Sequence, residues 1–287
     1  MKVIKTKPEM QAVSEKIKKD GKSIGLVPTM GYLHDGHVSL IKRSKKDCDY
    51  TVLTVFVNPA QFGPDEDFNK YPRDFNRDSK IAENEGVDYI FNPDTGEMYS
   101  ENHSTYVNVE KLDKIMCGKF RPVHFKGVCT IVLKLFNIIN PDAVFFGKKD
   151  YQQLAIIKKM VEDLDVCVEI AGCETVREPD GLALSSRNKY LTKEERENAI
   201  ILYKTILFAE NEIKNSRKNL PEIKKECIEK LSSNKFVKKI DYFDLRDPEN
   251  LKEIKKIESG TNSMLIASAV YIGETRLIDN KVVLLSI

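Results

Sequence analysis

His34 and His37 stand three positions apart in the run Pro28-Thr29-Met30-Gly31-Tyr32-Leu33-His34-Asp35-Gly36-His37, and they are two of only four histidines in the chain. On a helix, that spacing puts both rings on one side. An imidazole donates hydrogen bonds to phosphate oxygens, more strongly as the cation. Gly31 and Gly36 permit a close backbone approach or a positive φ. A helix starting here would present free N–H groups and a partial positive charge, which suits phosphate. Donors held against a phosphate under in-line attack would stabilise the charge that builds on it. The bland alternative is that both rings only cap the helix. A second group with the same affinity lies far along the chain, in Ala183-Leu184-Ser185-Ser186-Arg187-Asn188. There, hydroxyls and a guanidinium fork suit phosphate oxygens. Ser-Ser-Arg alone is a weak signal, because such tripeptides occur in ordinary loops.

The elements that must position these residues follow from pattern. Ser23–Pro28 is a short apolar run and reads as a buried strand, with a helix over Val38–Lys46 behind it. Tyr50–Val57 is rich in β-branched residues and stops at Asn58–Pro59. Helices are expected over Arg73–Glu85, Lys126–Ile139 and Tyr151–Asp163, and strands over Asp88–Phe91, Asp142–Phe146 and Val166–Ala171. Strands alternating with helices define an α/β class: a Rossmann-like doubly wound parallel sheet, here spanning residues 1–176. The first strand-to-helix crevice of such a sheet binds nucleotides. After Val176 the rhythm changes. Thr192–Lys214 reads as one long helix capped by Thr192, and Pro221 opens another that runs to about Leu231. Val237–Leu245, Met264–Ile272 and Arg276–Ile287 read as strands, the last two joined at Gly273–Glu274. Residues 177–287 therefore form a smaller α+β C-terminal domain with an antiparallel sheet.

Bulk properties exclude several classes. A chain of 287 residues accommodates two domains. Its 46 Lys and Arg against 44 Asp and Glu leave +2, no electrostatic footprint for nucleic acid. Lys16, Lys18 and Lys19 read as a solvated helix face. None of the six cysteines forms a CxxC pair, which argues against zinc. No apolar run approaches the ~20 residues that span a bilayer, and the start lacks a signal-peptide stretch. No membrane partner and a cytoplasmic location are therefore expected.

The HxGH of His34–His37 resembles the signature of the nucleotidyltransferase superfamily, whose members form adenylates or transfer nucleotidyl groups. Longer blocks narrow the resemblance: LVPTMGYLHDGH (26–37), VFVNPAQF (55–62), YPRDF (71–75), RPVHFKGV (121–128), FFGKKDYQQL (145–154) and DGLALSSRN (180–188). In this order they resemble the pantothenate synthetases, or pantoate–β-alanine ligases. That resemblance implies ATP and pantoate forming pantoyl adenylate and pyrophosphate, with β-alanine then attacking the acyl carbon to give pantothenate and AMP. It also implies a Mg²⁺ ion accompanying the ATP, and a homodimer.

Roles implied by the resemblance can be placed residue by residue. Met30, Gly31, Tyr32, Leu33, His34, Asp35, Gly36 and His37 would line the ATP site, with His34 and His37 on the phosphates. The family gives His37 the part of proton donor; adenylation needs no net proton donation, so an electrostatic stabiliser is the better description. Gly147, Lys148, Lys149 and Asp150 would also contact ATP, Lys149 as a catalytic point charge on phosphate and Asp150 on ribose. Val176 would meet adenine through its backbone, and Leu184, Ser185, Ser186 and Arg187 would complete the phosphate site. Gln61 and Gln153 would grip pantoate, since an amide offers both a donor and an acceptor. Asn58 would lie beside them. Asn58 and His124 could equally make a local turn or core hydrogen bond, and Tyr71 and Arg73 would support the pocket wall or a subunit contact. Lys148 departs from a family pattern that favours an acidic residue, and Val123 stands where Gly is frequent. The carboxylates Asp65–Asp67 read as a solvated loop, and no residue is assigned to metal. The loop from Asn58 to Pro72 is a candidate lid, as is the C-terminal domain. Two other readings remain at this stage: a nucleotidyltransferase or truncated tRNA synthetase, and a non-catalytic nucleotide sensor.

Overall fold

The structure, a computed structural model, describes residues 1–64, 66–215 and 218–285. The chain divides into two compact units, Met1–Lys148 with Ile156–Glu174, and Lys149–Ala155 with the chain from Thr175 onward.

The first unit carries β1 (Lys2–Ile4), α1 (Lys7–Lys19), β2 (Ile24–Thr29), α2 (Asp35–Asp47), β3 (Tyr50–Val55), α3 (Phe75–Asn84), β4 (Tyr89–Phe91), α4 (Thr95–Met98), α5 (Met116–Phe120), α6 (His124–Ile139), β5 (Ala143–Gly147), most of α7 (Tyr151–Asp163) and β6 (Glu169–Cys173). Its strands form one parallel sheet in the order β1-β4-β3-β2-β5-β6. Leu26, Val27, Val52 and Leu53 are wholly buried, in two consecutive pairs. Unbroken apolar runs of this kind mark a parallel sheet covered on both faces. Leu40 and Ile41 of α2 and Ala82 of α3 pack on Val27, Leu53, Ile90 and Phe145 of the sheet. Most of α6 is buried, and it ends at Asn140 in the left-handed region.

Strand order reverses between β2 and β5: the chain steps from β2 through β3 to β4 on one side, then returns to place β5 on the other. Ligands of open α/β sheets bind outside the carboxyl ends of the strands at such a reversal. Here those ends are Thr29 and Gly147.

The second unit holds α8 (Lys193–Ala199), α9 (Ile201–Asn215), α10 (Leu220–Ser232), β7 (Val237–Arg246), β8 (Ser263–Ile272) and β9 (Thr275–Leu284). The three strands form an antiparallel sheet in the order β7-β8-β9. Ile206, Ala209, Ile223, Cys227 and Leu231 of the helices share a core with Phe243, Ile266 and Val270 of the sheet. Gly273, at φ +54°, turns the β8–β9 hairpin.

Three expectations need correction. The helix expected over Thr192–Lys214 is two helices that break at Ile200. Just before the break, the side-chain amide of Asn198 donates to the carbonyl of Glu194. Such bonding to the i−4 carbonyl competes with the helical ladder and bends it. The strand expected over Val166–Ala171 starts later, at Glu169, because Asp165 at φ +50° turns the chain just before it and a tight Val168-to-Val166 bond occupies its first residues. The last strand ends at Leu284, and residues 286–287 of its expected range lie outside the described residues.

Candidate active site

Thr29 closes β2 by exchanging hydrogen bonds with Thr54 of β3: its hydroxyl donates to the Thr54 carbonyl at 2.6 Å, and its amide donates to Thr54 Oγ1 at 3.1 Å. The Gly31 amide then donates to Thr29 Oγ1. Gly31 at φ +80° and Tyr32 at φ +52° swing the chain out of the strand. A Cβ on Gly31 would stand 2.8 Å from a carboxylate oxygen of Asp78, so glycine is required there for space as well as φ. Asp78, on α3 and 1 % exposed, accepts from the amides of Tyr32 and Leu33, both at 2.7 Å. Burial raises its carboxyl above the ordinary value; the two amides and Arg77 pull the other way.

The turn delivers His34 to the N-cap of α2. His34 Nδ1 accepts from the Gly36 amide at 3.1 Å, and His37 Nδ1 accepts from the His34 amide at 3.3 Å, a reciprocal capping box. The ring centroids lie 4.1 Å apart. A ring nitrogen that accepts from an amide carries no proton, so both imidazoles are assigned the neutral tautomer with Nε2–H as the donor. In each ring the nitrogen that caps the helix is therefore the one opposite the N–H donor. Asp35 alone in the Met30–His37 stretch is exposed, while Leu33 is wholly buried and anchors the turn.

Gln61 belongs to the 3-10 turn Pro59–Gln61, which follows β3. Its Oε1 accepts from Asn58 Nδ2 at 3.2 Å and its Nε2 donates to Met30 Sδ at 3.1 Å. Its carbonyl accepts from Arg121 and lies 3.0 Å from His124 Nδ1. Asn58 is 1 % exposed: Nδ2 also donates to the Gly127 carbonyl, and Oδ1 accepts from the Tyr99 hydroxyl at 2.7 Å and the Ala60 amide. Asn58 thus orients Gln61. A Cβ on Gly127 would fall 2.2 Å from the Ala60 carbonyl oxygen, so α6 can approach this turn only through glycine. Among the described residues of the 58–72 loop, Phe62 packs edge-on against Phe68 and Tyr71, and Glu66 pairs with Arg121. Asp67 is half-buried, and Asp65 lies outside the described residues. Arg73 donates to the carbonyls of Phe68 and Tyr71. Val123 is exposed at the start of α6. Lys148, just past β5 and Gly147, pairs with Glu174.

In the second unit, Lys149 Nζ lies 3.4 Å from Asp150 Oδ2, and Gln153 is half-buried on the first turn of α7. The Leu184 amide donates to the Val176 carbonyl, and Arg177 bridges Ala183 in antiparallel fashion. Ser185 caps the 3-10 turn Ser186–Tyr190 by accepting from the Arg187 amide at 3.3 Å, and Ser186 is buried. Asn188 ties this turn to Glu178 and to the Ala183 carbonyl. The structure thus brings Met30 to His37 together with Asn58 and Gln61 in one unit, and Lys149, Asp150, Gln153, Val176 and Leu184 to Arg187 in the other. Sequence reasoning did not reach Asp78, Tyr99, Gly127 or Asp279–Asn280. A buried Asp–Asn pair inside the apolar strand RLIDNKVVLL was the one visible signal.

A parallel sheet that reverses beside a histidine-capped helix defines an α/β enzyme of the nucleotide-handling kind. The family model described as pantoate-beta-alanine ligase matches residues 2–282, and the chain belongs to that family. Pantothenate synthetase of Caldicellulosiruptor bescii is 53 % identical over 283 residues, 99 % of each chain. That of a Sulfurihydrogenibium species is 52 % identical, over 98 % of this chain and 99 % of its own. Among solved structures, pantothenate synthetase from Thermus thermophilus superposes with a TM-score of 0.90 at 40 % identity, covering 98 % of this chain and 99 % of that one. Pantoate-beta-alanine ligase from Francisella tularensis, complexed with beta-gamma ATP and beta-alanine, gives 0.79 at 34 % identity, over 98 % and 97 %.

Proposed function

We propose that this chain joins pantoate to β-alanine at the expense of ATP, through a pantoyl-adenylate intermediate. A pantoate carboxylate oxygen attacks the α-phosphorus, and pyrophosphate leaves with the electrons of the broken P–O bond. The β-alanine amine then attacks the acyl carbon, AMP leaves, and the nitrogen gives up a proton. Adenylation is needed because a carboxylate is a poor acyl donor, whereas its mixed anhydride with phosphate is a good one.

The observation that carries this reading is the helix start at His34. Both rings spend Nδ1 on backbone amides and so keep Nε2–H as a donor at the positive end of α2. His34 and His37 are proposed to hold the triphosphate within the site lined by Met30 to His37, and to stabilise its developing charge. Lys149, Ser185, Ser186 and Arg187 would act on the same phosphates, Asp150 on ribose and Val176 on adenine. Gln61 and Gln153 would bind pantoate, with Asn58 acting through Gln61. Residues 1–176 are proposed as the ATP- and pantoate-binding domain, and 177–287 as a lid that excludes water from the adenylate. Mg²⁺ would arrive as part of the substrate: the assigned phosphate-binding groups are imidazoles, hydroxyls, a lysine and an arginine, which suit a nucleotide that carries its own ion. A homodimer and a cytoplasmic location complete the proposal; among the described residues, no helix is long and apolar enough to cross a membrane.

Pyrophosphate–ATP exchange tests it. Exchange should require pantoate and need no β-alanine, and AMP and pantothenate should appear together once β-alanine is added. Exchange indifferent to pantoate would reject the ligase reading. Charging of tRNA, or ATP binding without turnover, would favour the two alternatives named above.

A further inference from the structure

Asp279 and Asn280 are consecutive on β9 and 3 % and 8 % exposed. A carboxylate and an amide in an apolar strand cost free energy unless every polar atom is matched. Their partners lie in two loops far apart in sequence. Asn280 Nδ2 donates to the Lys149 carbonyl at 2.7 Å. Asp279 receives both guanidinium nitrogens of Arg177, at 2.7 and 2.9 Å, and also the Asn280 amide at 2.8 Å. Arg177 in turn donates to the Gly181 carbonyl at 3.0 Å and lies over the Tyr203 ring at 3.8 Å. From there the chain pairs with itself, Glu178 to Leu182 and Val176 to Leu184, and runs directly into Ser185–Arg187. A bidentate Arg–carboxylate pair fixes orientation as well as distance. Asn280 acts on a backbone carbonyl, so it sets where the Lys149 chain sits while leaving the ammonium unengaged by that bond.

We propose that Asp279 and Asn280 are positioning residues for the nucleotide site: two adjacent positions of one strand set the Lys149 loop and the 177–187 loop in a fixed mutual register. This rests on the assignment of Lys149 and Ser185–Arg187 to ATP. The pair touches no substrate. It acts by holding the groups that do, as supporting hydrogen bonds do at other preorganised sites.

The test is a double-mutant cycle on the full-length protein, read by pantoate-dependent pyrophosphate exchange and by calorimetric titration with ATP. Asn280→Ala should raise the KM and Kd for ATP about tenfold, the scale of one lost hydrogen bond, and leave the KM for β-alanine unchanged. In a Lys149→Ala background the same change should add less than about twofold, because the side chain it positions is already gone. Asn280→Asp, which keeps the shape and loses the donor, should reproduce the ATP defect. The proposal is overturned if Asn280→Ala binds and exchanges ATP within about twofold of wild type, or if its full effect persists in the Lys149→Ala background. It also falls if both Asn280 variants fail to melt cooperatively, since the pair would then serve stability alone. If wild type binds ATP but shows no pantoate-dependent exchange, the ligase reading fails, while the calorimetric cycle still decides the positioning role.

Discussion

At the scale of residues, capping and catalysis can be separated by magnitude. Losing a side-chain cap costs about 1 kcal/mol, which lowers Tm by about 2–4 °C in a protein of this size class. Losing a charge-stabilising donor costs about 10²- to 10³-fold in rate. His34→Ala and His37→Ala should therefore slow adenylation by about that factor while melting only a few degrees lower; a normal exchange rate with the same Tm loss would reduce both residues to caps. Asp78 gives a second, signed expectation. A carboxyl raised in the folded state contributes its stability in acid and loses it as pH rises through the folded value. The window opens near pH ~4, the ordinary Asp value, and extends upward. Asp78→Asn does not titrate, so its Tm relative to wild type should climb across that window. It should also slow adenylation about tenfold, because the Tyr32 and Leu33 amides bond to different carboxylate oxygens and the Asn NH2 would set a donor against one of them. Tm curves that stay parallel at every pH would contradict the burial argument. An unchanged rate would contradict the part assigned to Asp78 in shaping the turn.

At the scale of elements, the 3-10 turn bearing Gln61 depends on the glycine of the helix packed on it. Gly127→Ala would drive a methyl into the Ala60 carbonyl. Overpacking of this kind costs typically about 1–3 kcal/mol. The variant should melt lower and show a raised KM for pantoate with little change for β-alanine; steady-state kinetics with each substrate varied would read this, and an unaltered pantoate KM would mean that the turn does not set the Gln61 amide. The elements were also what the sequence displayed best. Tyr151–Asp163 is a helix over the residues its apolar spacing indicates, and the β2-to-α2 turn lies where the Gly31–Gly36 run places it. Lys2–Ile4 escaped because three residues at a sheet edge show no periodicity. The break at Ile200 escaped because no Gly or Pro marks it; the competing bond comes from an Asn side chain. Asp78 and Gly127 were illegible for a different reason: their partners, 45 or more residues away, exist only once the chain has folded.

At the scale of the whole molecule, most of the cysteines belong to packing. Burial pushes the Cys48 thiol up to about 11 and those of Cys129 and Cys227 to about 12. Cys167 is the exposed one among the six. A thiolate-selective reagent at neutral pH should therefore label Cys167 first and reach Cys129 and Cys227 only on unfolding; rapid native labelling of either would contradict the packing of its core. The two-domain reading predicts that ATP and pantoate together protect the protein from proteolysis better than either alone.

Everything turns on where the triphosphate sits. A crystal structure with a non-hydrolysable ATP analogue and pantoate shows this without intermediary. Phosphate oxygens should lie within hydrogen-bond reach, ~3 Å, of Nε2 of both His34 and His37 and of Lys149 Nζ. A nucleotide bound with its phosphates away from the start of α2 would refute the roles given to all three.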